Sequence, residues 1–125
     1  MKTLRSVLLL ICLFACSGAP AASYAKITQE EALALLEKGD VLLLDVRTEE
    51  EYRSGHIPTA VCIPNETIGK KALADYPDLS QTIIVYCRSG RRSAEAARKL
   101  SDAGYARVYD LGGIRDWSGE ITTEE

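Results

Sequence analysis

The chain has 125 residues, room for one small domain. Charged residues make up 26% and hydrophobic residues 46%, a composition that excludes an intrinsically disordered chain. With 15 Lys and Arg against 18 Asp and Glu the formal charge is −3, which leaves no electrostatic footprint for nucleic acid as a main partner. One His and four Cys exclude His-rich metal sites.

Lys2 and Arg5 precede an uninterrupted apolar run over residues 7–16. That run is too short for a membrane-spanning helix, which needs roughly 20 apolar residues, and it fits the core of a secretory signal. Residues 1–15 are therefore read as a signal peptide, with alternative ends at 21 or 25. Ala19-Pro20-Ala21 and Ser23-Tyr24-Ala25 both have the small-x-small pattern of a cleavage site. Leu13-Phe14-Ala15-Cys16 instead resembles a bacterial lipobox, which would anchor the protein to a membrane through a lipid on Cys16. Either way the expected location is outside the cytoplasm, in a bacterial periplasm or cell envelope. Loss of residues 1–15 leaves 13 basic and 18 acidic residues, a charge of −5. Only Cys62 and Cys87 then remain besides Cys16. Neither lies in a CxxC pair, so no structural zinc is expected.

Residues 16–25 read as a flexible tether and residues 26–118 as the folded domain. Thr28-Gln29-Glu30-Glu31 is a capping box, and the helix it opens stops at Gly39. Val41-Leu42-Leu43-Leu44 is a continuous apolar run ending at Asp45. Thr48-Glu49-Glu50-Glu51 is a second capping box, opening a short helix to about Gly55. Ala60-Val61-Cys62-Ile63 is the next apolar run, closed by Pro64. A third helix is expected over residues 66–75, ahead of Pro77. Ile83-Ile84-Val85-Tyr86 is the third run, closed by Cys87, and a long helix follows over residues 90–103. Val108-Tyr109 is a weaker fourth run, and a last turn follows Gly113. Residues 119–125 read as a polar tail that frays. Short continuous apolar runs alternating with helices predict an α/β fold whose parallel strands are covered on both faces.

The chemistry is concentrated in Cys87-Arg88-Ser89-Gly90-Arg91-Arg92-Ser93. A buried strand ends at Cys87 and a helix starts a few residues later. The thiol is thus expected at the C-terminal edge of a parallel sheet, where open α/β folds bind ligands. The intervening amides can form an anion-binding nest at the helix N-terminus. Arg88, Arg91 and Arg92 add three positive charges where the helix dipole disfavours cations, which calls for an anion to offset them. Both effects favour the thiolate. The expected device is a nucleophile inside an anion cradle, for a small anion with an electrophilic centre. The bland alternative is a buried Cys followed by a solvated, Arg-rich helix start, and it gives no reason for Gly90.

This loop resembles the active-site loop of rhodanese-like sulfurtransferases, Cys-x-x-Gly-x-Arg-Ser/Thr. Leu43-Leu44-Asp45-Val46-Arg47, Glu51-Tyr52 and Gly55-His56-Ile57 resemble the upstream signature of that family, and Leu111-Gly112-Gly113-Ile114-Arg115-Asp116-Trp117 its C-terminal one. With its signal segment the chain is similar to small exported single-domain thiosulfate sulfurtransferases. The resemblance implies an open, parallel, five-stranded sheet flanked by helices, and a persulfide carried on Cys87. It implies that Asp45 and Arg47 brace the loop from below. The expected function is transfer of sulfur from an anionic donor such as thiosulfate to a thiol or cyanide, by a monomer without cofactor or metal.

Two departures from the family pattern stand out, Thr59 where Gly is usual and Cys62 where Asn is common. Cys62 is expected on a strand beside the active-site strand, as a small hydrophobe in the core or, alternatively, as a partner able to pair with Cys87 or accept its sulfur. That defines an alternative function, a persulfide or redox carrier without turnover. A phosphatase or arsenate reductase of similar fold is a further alternative. A phosphatase loop, however, places Arg six residues after Cys, where this chain has Ser93, and Arg92 comes one residue early. The resulting ring suits a sulfur-sized group and is tight for a phosphoryl group. His56 permits a Cys–His dyad by count alone, but Gly55-His56-Ile57-Pro58 reads as a turn. Trp117 is expected as a core anchor.

Overall fold

A computed structural model describes residues 23–124. The signal segment and the Cys16 lipidation site lie outside the described residues. Among those described, no helix is long and apolar enough to cross a membrane.

Both capping boxes form as the spacing predicts. The Thr28 hydroxyl accepts from the Glu31 amide, and the Glu31 carboxylate accepts from the Thr28 amide, opening α1 (Gln29–Lys38). Thr48 and Glu51 do the same for α2 (Glu49–Ser54). The longest helix, α3 (Arg91–Asp102), follows the Cys87 loop.

Five parallel strands form one sheet: β1 (Ala25–Lys26), β2 (Val41–Asp45), β3 (Val61–Cys62), β4 (Thr82–Cys87) and β5 (Arg107–Gly113). They lie in the order β1-β5-β4-β2-β3, so β4 is central. Alternate residues of the central strands feed two cores. Leu42, Leu44, Ile83, Val85 and Cys87 pack with Ala96, Ala97 and Leu100 of α3. Leu43, Ile84 and Tyr86 pack on the other face with Ala32, Leu35 and Leu36 of α1 and Tyr52 of α2. Burial on both faces is why the strands read as unbroken apolar runs.

Four local expectations change. No helix forms over residues 66–75; a single 3-10 turn, Asn65–Thr67, stands there. Gly69 weakens a helix by about 1 kcal/mol, and Ile68, Leu73 and Tyr76 do not repeat at helical spacing. The Tyr105 hydroxyl instead ties down the irregular segment, accepting from the Leu73 amide and donating to the Tyr76 carbonyl. The segment read as a tether reaches into the sheet, because β1 begins at Ala25. The segment read as a fraying tail is tied back: His56 and Thr122 exchange backbone hydrogen bonds of 2.9 and 2.8 Å. Finally, β3 lies beside β2 and not beside β4.

Candidate active site

Cys87 closes β4 with 1% of its surface exposed, on the α3 side of the sheet. From there the chain must turn into α3 within a few residues. Gly90 makes the turn: it is the N-cap of α3 at φ 109°, a left-handed conformation that L side chains rarely adopt. The turn aims the Gly90 amide at Cys87 Sγ, 3.0 Å away. Ser93, fully buried in the first turn of α3, fixes the loop by donating from Oγ to the Gly90 carbonyl at 3.0 Å.

Two glycines of β5 let the loop sit where it does. A bulge at Val85/Tyr86 gives β5 one extra residue, so that Gly112 and Gly113 lie opposite Tyr86 and Cys87. A Cβ on Gly113 would stand 2.4 Å from the Arg88 carbonyl oxygen and 2.8 Å from Ser89 Cα. Only a residue without a side chain allows this approach.

Burial alone would push the Cys87 thiol up. The Ser93 amide, then the Gly90 and Ser89 amides, outweigh burial and hold it below the ordinary thiol range. Dipoles of the curled main chain, more than full charges, thus favour the thiolate. The three arginines are deployed differently from the expectation that all face the cradle. Arg88 is exposed. Arg91 points along α3 to Glu95, 3.4 Å away, with 78% of its side chain exposed. Only Arg92 stays at the loop edge. Its Nη1 and Nη2 donate to Oε1 and Oε2 of Glu51 at 2.7 and 3.0 Å.

Beneath the loop lies the network that Asp45 and Arg47 were expected to form. Arg47 Nη2 donates to Asp45 Oδ2 at 2.7 Å and to the Gly55 carbonyl at 2.6 Å. Its Nε reaches Asp45 Oδ1 at 3.0 Å. The Tyr86 hydroxyl donates to Asp45 Oδ2 at 2.9 Å and accepts from the Ile57 amide at 3.1 Å. Burial and the Asp45 charge push the Tyr86 phenol far above its ordinary range, so it stays a donor. The network fixes Tyr86, and through it the residue that follows, Cys87. Neither Asp45 nor Arg47 reaches the thiol by any hydrogen bond among the described residues; their contact with it runs through Tyr86.

Cys62 is not beside Cys87. It pairs in register with Asp45, which pairs with Tyr86, so β2 stands between the two thiols. Two strand spacings separate them by about 9–10 Å, beyond the ~6.8 Å that a disulfide can span. The possible Cys62–Cys87 pairing is therefore excluded in this fold. Burial, then the Asp45 charge, pushes the Cys62 thiol up to about 11. His56 takes no part either. Its Nδ1 bonds the Tyr52 carbonyl at 2.7 Å and its ring stacks on Tyr52 at 3.6 Å. Trp117 is half-buried against the α1-side core, as expected of an anchor, and its Nε1 donates to the Glu120 carbonyl.

Reading the sequence missed three parts of this site. Glu51 was visible as a cap and signature residue but not as a partner of Arg92, Tyr86 only as a strand residue, and Gly113 not as the close neighbour of the loop. A cleft of about 310 Å³ opens beside the loop, walled by Ser89, Gly90, Gly112 and Gly113. A larger one of about 720 Å³, lined by His56, Thr59 and Cys62, lies away from it. The smaller cleft borders the Cys87 loop through Ser89 and Gly90, while Cys87 itself lies beneath the loop with 1% of its surface exposed.

The rhodanese-like domain model matches residues 28–120. Thiosulfate sulfurtransferase PspE of Escherichia coli K12 is 37% identical over 73 residues, 58% of this chain and 70% of that protein. A sulfurtransferase of Allochromatium vinosum is 40% identical over 85 residues, 67% of this chain and 78% of the relative. Among solved structures, an E. coli rhodanese with anions superposes with a TM-score of 0.61 at 34% identity, covering 67% of this chain and 99% of its own. The human single-domain sulfurtransferase TSTD1 gives 0.65 at 27% identity, covering 80% and 96%. With sheet order, loop and signatures in agreement along nearly the whole folded segment, the chain belongs to the rhodanese-like domain family.

Proposed function

We propose that the protein is an exported rhodanese-type thiosulfate sulfurtransferase that carries sulfur as a persulfide on Cys87. One observation bears most of the weight: a buried strand-end thiol, 3.0 Å from the Gly90 amide, is held low by loop dipoles. The Cys87 thiolate attacks the outer sulfur of thiosulfate. A bond forms from Sγ to that sulfur, the sulfur–sulfur bond of thiosulfate breaks, and sulfite leaves with the electron pair. The persulfide carries its charge on the outer sulfur, about 2 Å beyond Sγ, where the main-chain amides of the same curled loop stabilise it. Cyanide in an assay, or a thiolate in the cell, then takes the outer sulfur and restores the thiolate. Arg92 closes the ring, and exposed Arg88 meets the incoming anion.

Ring size favours sulfur over phosphate. The loop from Cys87 to Arg92 is one residue short of a phosphatase loop. Export rests on the composition of residues 1–15, and the two modes of processing, soluble release and a lipid on Cys16, remain the alternatives set by the sequence. Thiocyanate formation from thiosulfate and cyanide tests the reading: wild type turns over and Cys87→Ser does not. Equal rates for the two proteins would overturn it.

A further inference from the structure

Arg92 stands at the second position of α3, where the helix dipole repels a cation. A bidentate carboxylate holds it there, at 2.7 and 3.0 Å. That carboxylate belongs to Glu51, 41 residues away in sequence and on another helix. Glu51 is itself fixed before it meets Arg92. It is the N3 residue of the second capping box, its Oε1 accepting from the Thr48 amide at 3.3 Å and the Thr48 hydroxyl at 3.2 Å. The pair is well shielded, with 22% of the Arg92 side chain and 30% of the Glu51 side chain exposed. Among the described residues, only Arg92 of the three loop arginines bonds another element through its side chain: Arg91 bonds within α3, and Arg88 is exposed.

We propose that Glu51 is a positioning residue for the site, its carboxylate clamping the Arg92 guanidinium across the closing edge of the Cys87 loop so that one fixed cation faces the incoming anion. The proposal rests on the sulfurtransferase reading for its substrate, but its geometry stands apart from that reading. A cap residue already locked by its own helix makes a rigid anchor, and a fork-to-fork pair fixes both the place and the plane of the guanidinium. Without the clamp Arg92 keeps its charge and loses its position.

Glu51→Gln is a clean perturbation, because Gln at N3 still closes a capping box while the charge that holds Arg92 is gone. The test uses the full-length protein and two readouts. The first is the ratio of Cys87 alkylation rates by iodoacetate, an anion, and iodoacetamide, its neutral counterpart. The second is the second-order rate of sulfur loading from thiosulfate. We expect Glu51→Gln to lower both by about tenfold, Arg92→Ala to lower them at least as much, and the double variant to fall no further than Arg92→Ala alone, as for two residues acting as one unit. Independent effects that multiply in the double variant would overturn the proposal. So would an unchanged or increased ratio in Glu51→Gln, the latter meaning that Glu51 merely masks the cation. Should Glu51→Gln fail to fold, Arg92→Lys, which keeps the charge but cannot pair fork to fork, is expected to show the same drop in the ratio with α2 untouched, and a wild-type ratio there would overturn the proposal. A wild type that takes no sulfur from thiosulfate, yet shows the ratio effect, would sink the sulfurtransferase reading and leave the clamp standing.

Discussion

Gly113→Ala probes the link between sheet and loop most sharply. The added methyl would lie 2.4 Å from the Arg88 carbonyl oxygen, 3.0 Å from its carbon and 2.8 Å from Ser89 Cα. Ordinary carbon–oxygen contact needs a separation larger by nearly 1 Å, and every clashing atom is main chain, which has no rotamer to escape into. Either β5 or the loop must move by about 0.5–1 Å, an overpacking cost of about 1–3 kcal/mol. The loop is the softer side, since β5 is held by β4 and β1. Its displacement carries the Ser89 and Gly90 amides away from Sγ, and each such bond to a charged acceptor contributes about 1.5–3 kcal/mol. The expected outcome is a 10- to 100-fold loss in the rate of sulfur loading, in line with the cost of an ångström-scale misplacement. The pH midpoint of Cys87 alkylation should rise in parallel, while the far-ultraviolet circular dichroism is unchanged. A Gly113→Ala protein with wild-type loading and a wild-type alkylation midpoint would refute the claim that the loop amides hold the thiolate.

Three further outcomes follow from the same geometry. Tyr86→Phe removes the donor to Asp45 and the acceptor of the Ile57 amide, leaving buried polar groups unpaired; urea denaturation should register a loss of about 1–3 kcal/mol, and no loss would refute the brace. Thr59, a β-branched residue at φ 73°, is in the left-handed region, so Thr59→Gly should stabilise by about 0.5–1 kcal/mol and raise the melting temperature by a few degrees; a lower melting temperature would contradict the strain. Cys87 and Cys62 should titrate apart. Because the Cys87 value is depressed, its thiolate persists below the ordinary thiol range, its alkylation falls only as pH drops through that lowered value, and the folding stability it contributes is lost over the same interval. Cys62, pushed up to about 11, should stay unmodified at neutral pH, and Cys62→Ala should load sulfur at the wild-type rate; peptide mapping and a loading assay check both.

Local grammar was legible in the sequence where neighbours in the chain decide the outcome. Thr28 with Glu31 and Thr48 with Glu51 each hold both halves of a cap within four residues, and both caps form as read. The central strands β2 and β4 announced themselves as unbroken apolar runs because both their faces are covered. What sequence could not disclose is what depends on partners far along the chain. β1 is two residues long and exists only because β5 offers it an edge. Cys62 looked like a neighbour of Cys87 because sequence does not reveal that β2 inserts between β3 and β4. Arg91 and Arg92 are adjacent and chemically alike, yet one finds Glu95 a turn away and the other Glu51 on a different helix. The family resemblance located Cys87 and its loop but was silent on whether charges or dipoles do the work there. Amide hydrogen bonds from Ser93, Gly90 and Ser89 lower the Cys87 value against its burial, and two of the three arginines turn away from the loop.

The central claim is that Cys87 takes and keeps a single sulfur atom. Intact-mass spectrometry of the mature protein before and after thiosulfate, followed by peptide mapping, tests it directly. The account predicts a gain of one sulfur on the peptide holding Cys87, released by cyanide and absent from Cys87→Ser. Wild-type protein of unchanged mass, or a sulfur found on Cys62 instead, would contradict it.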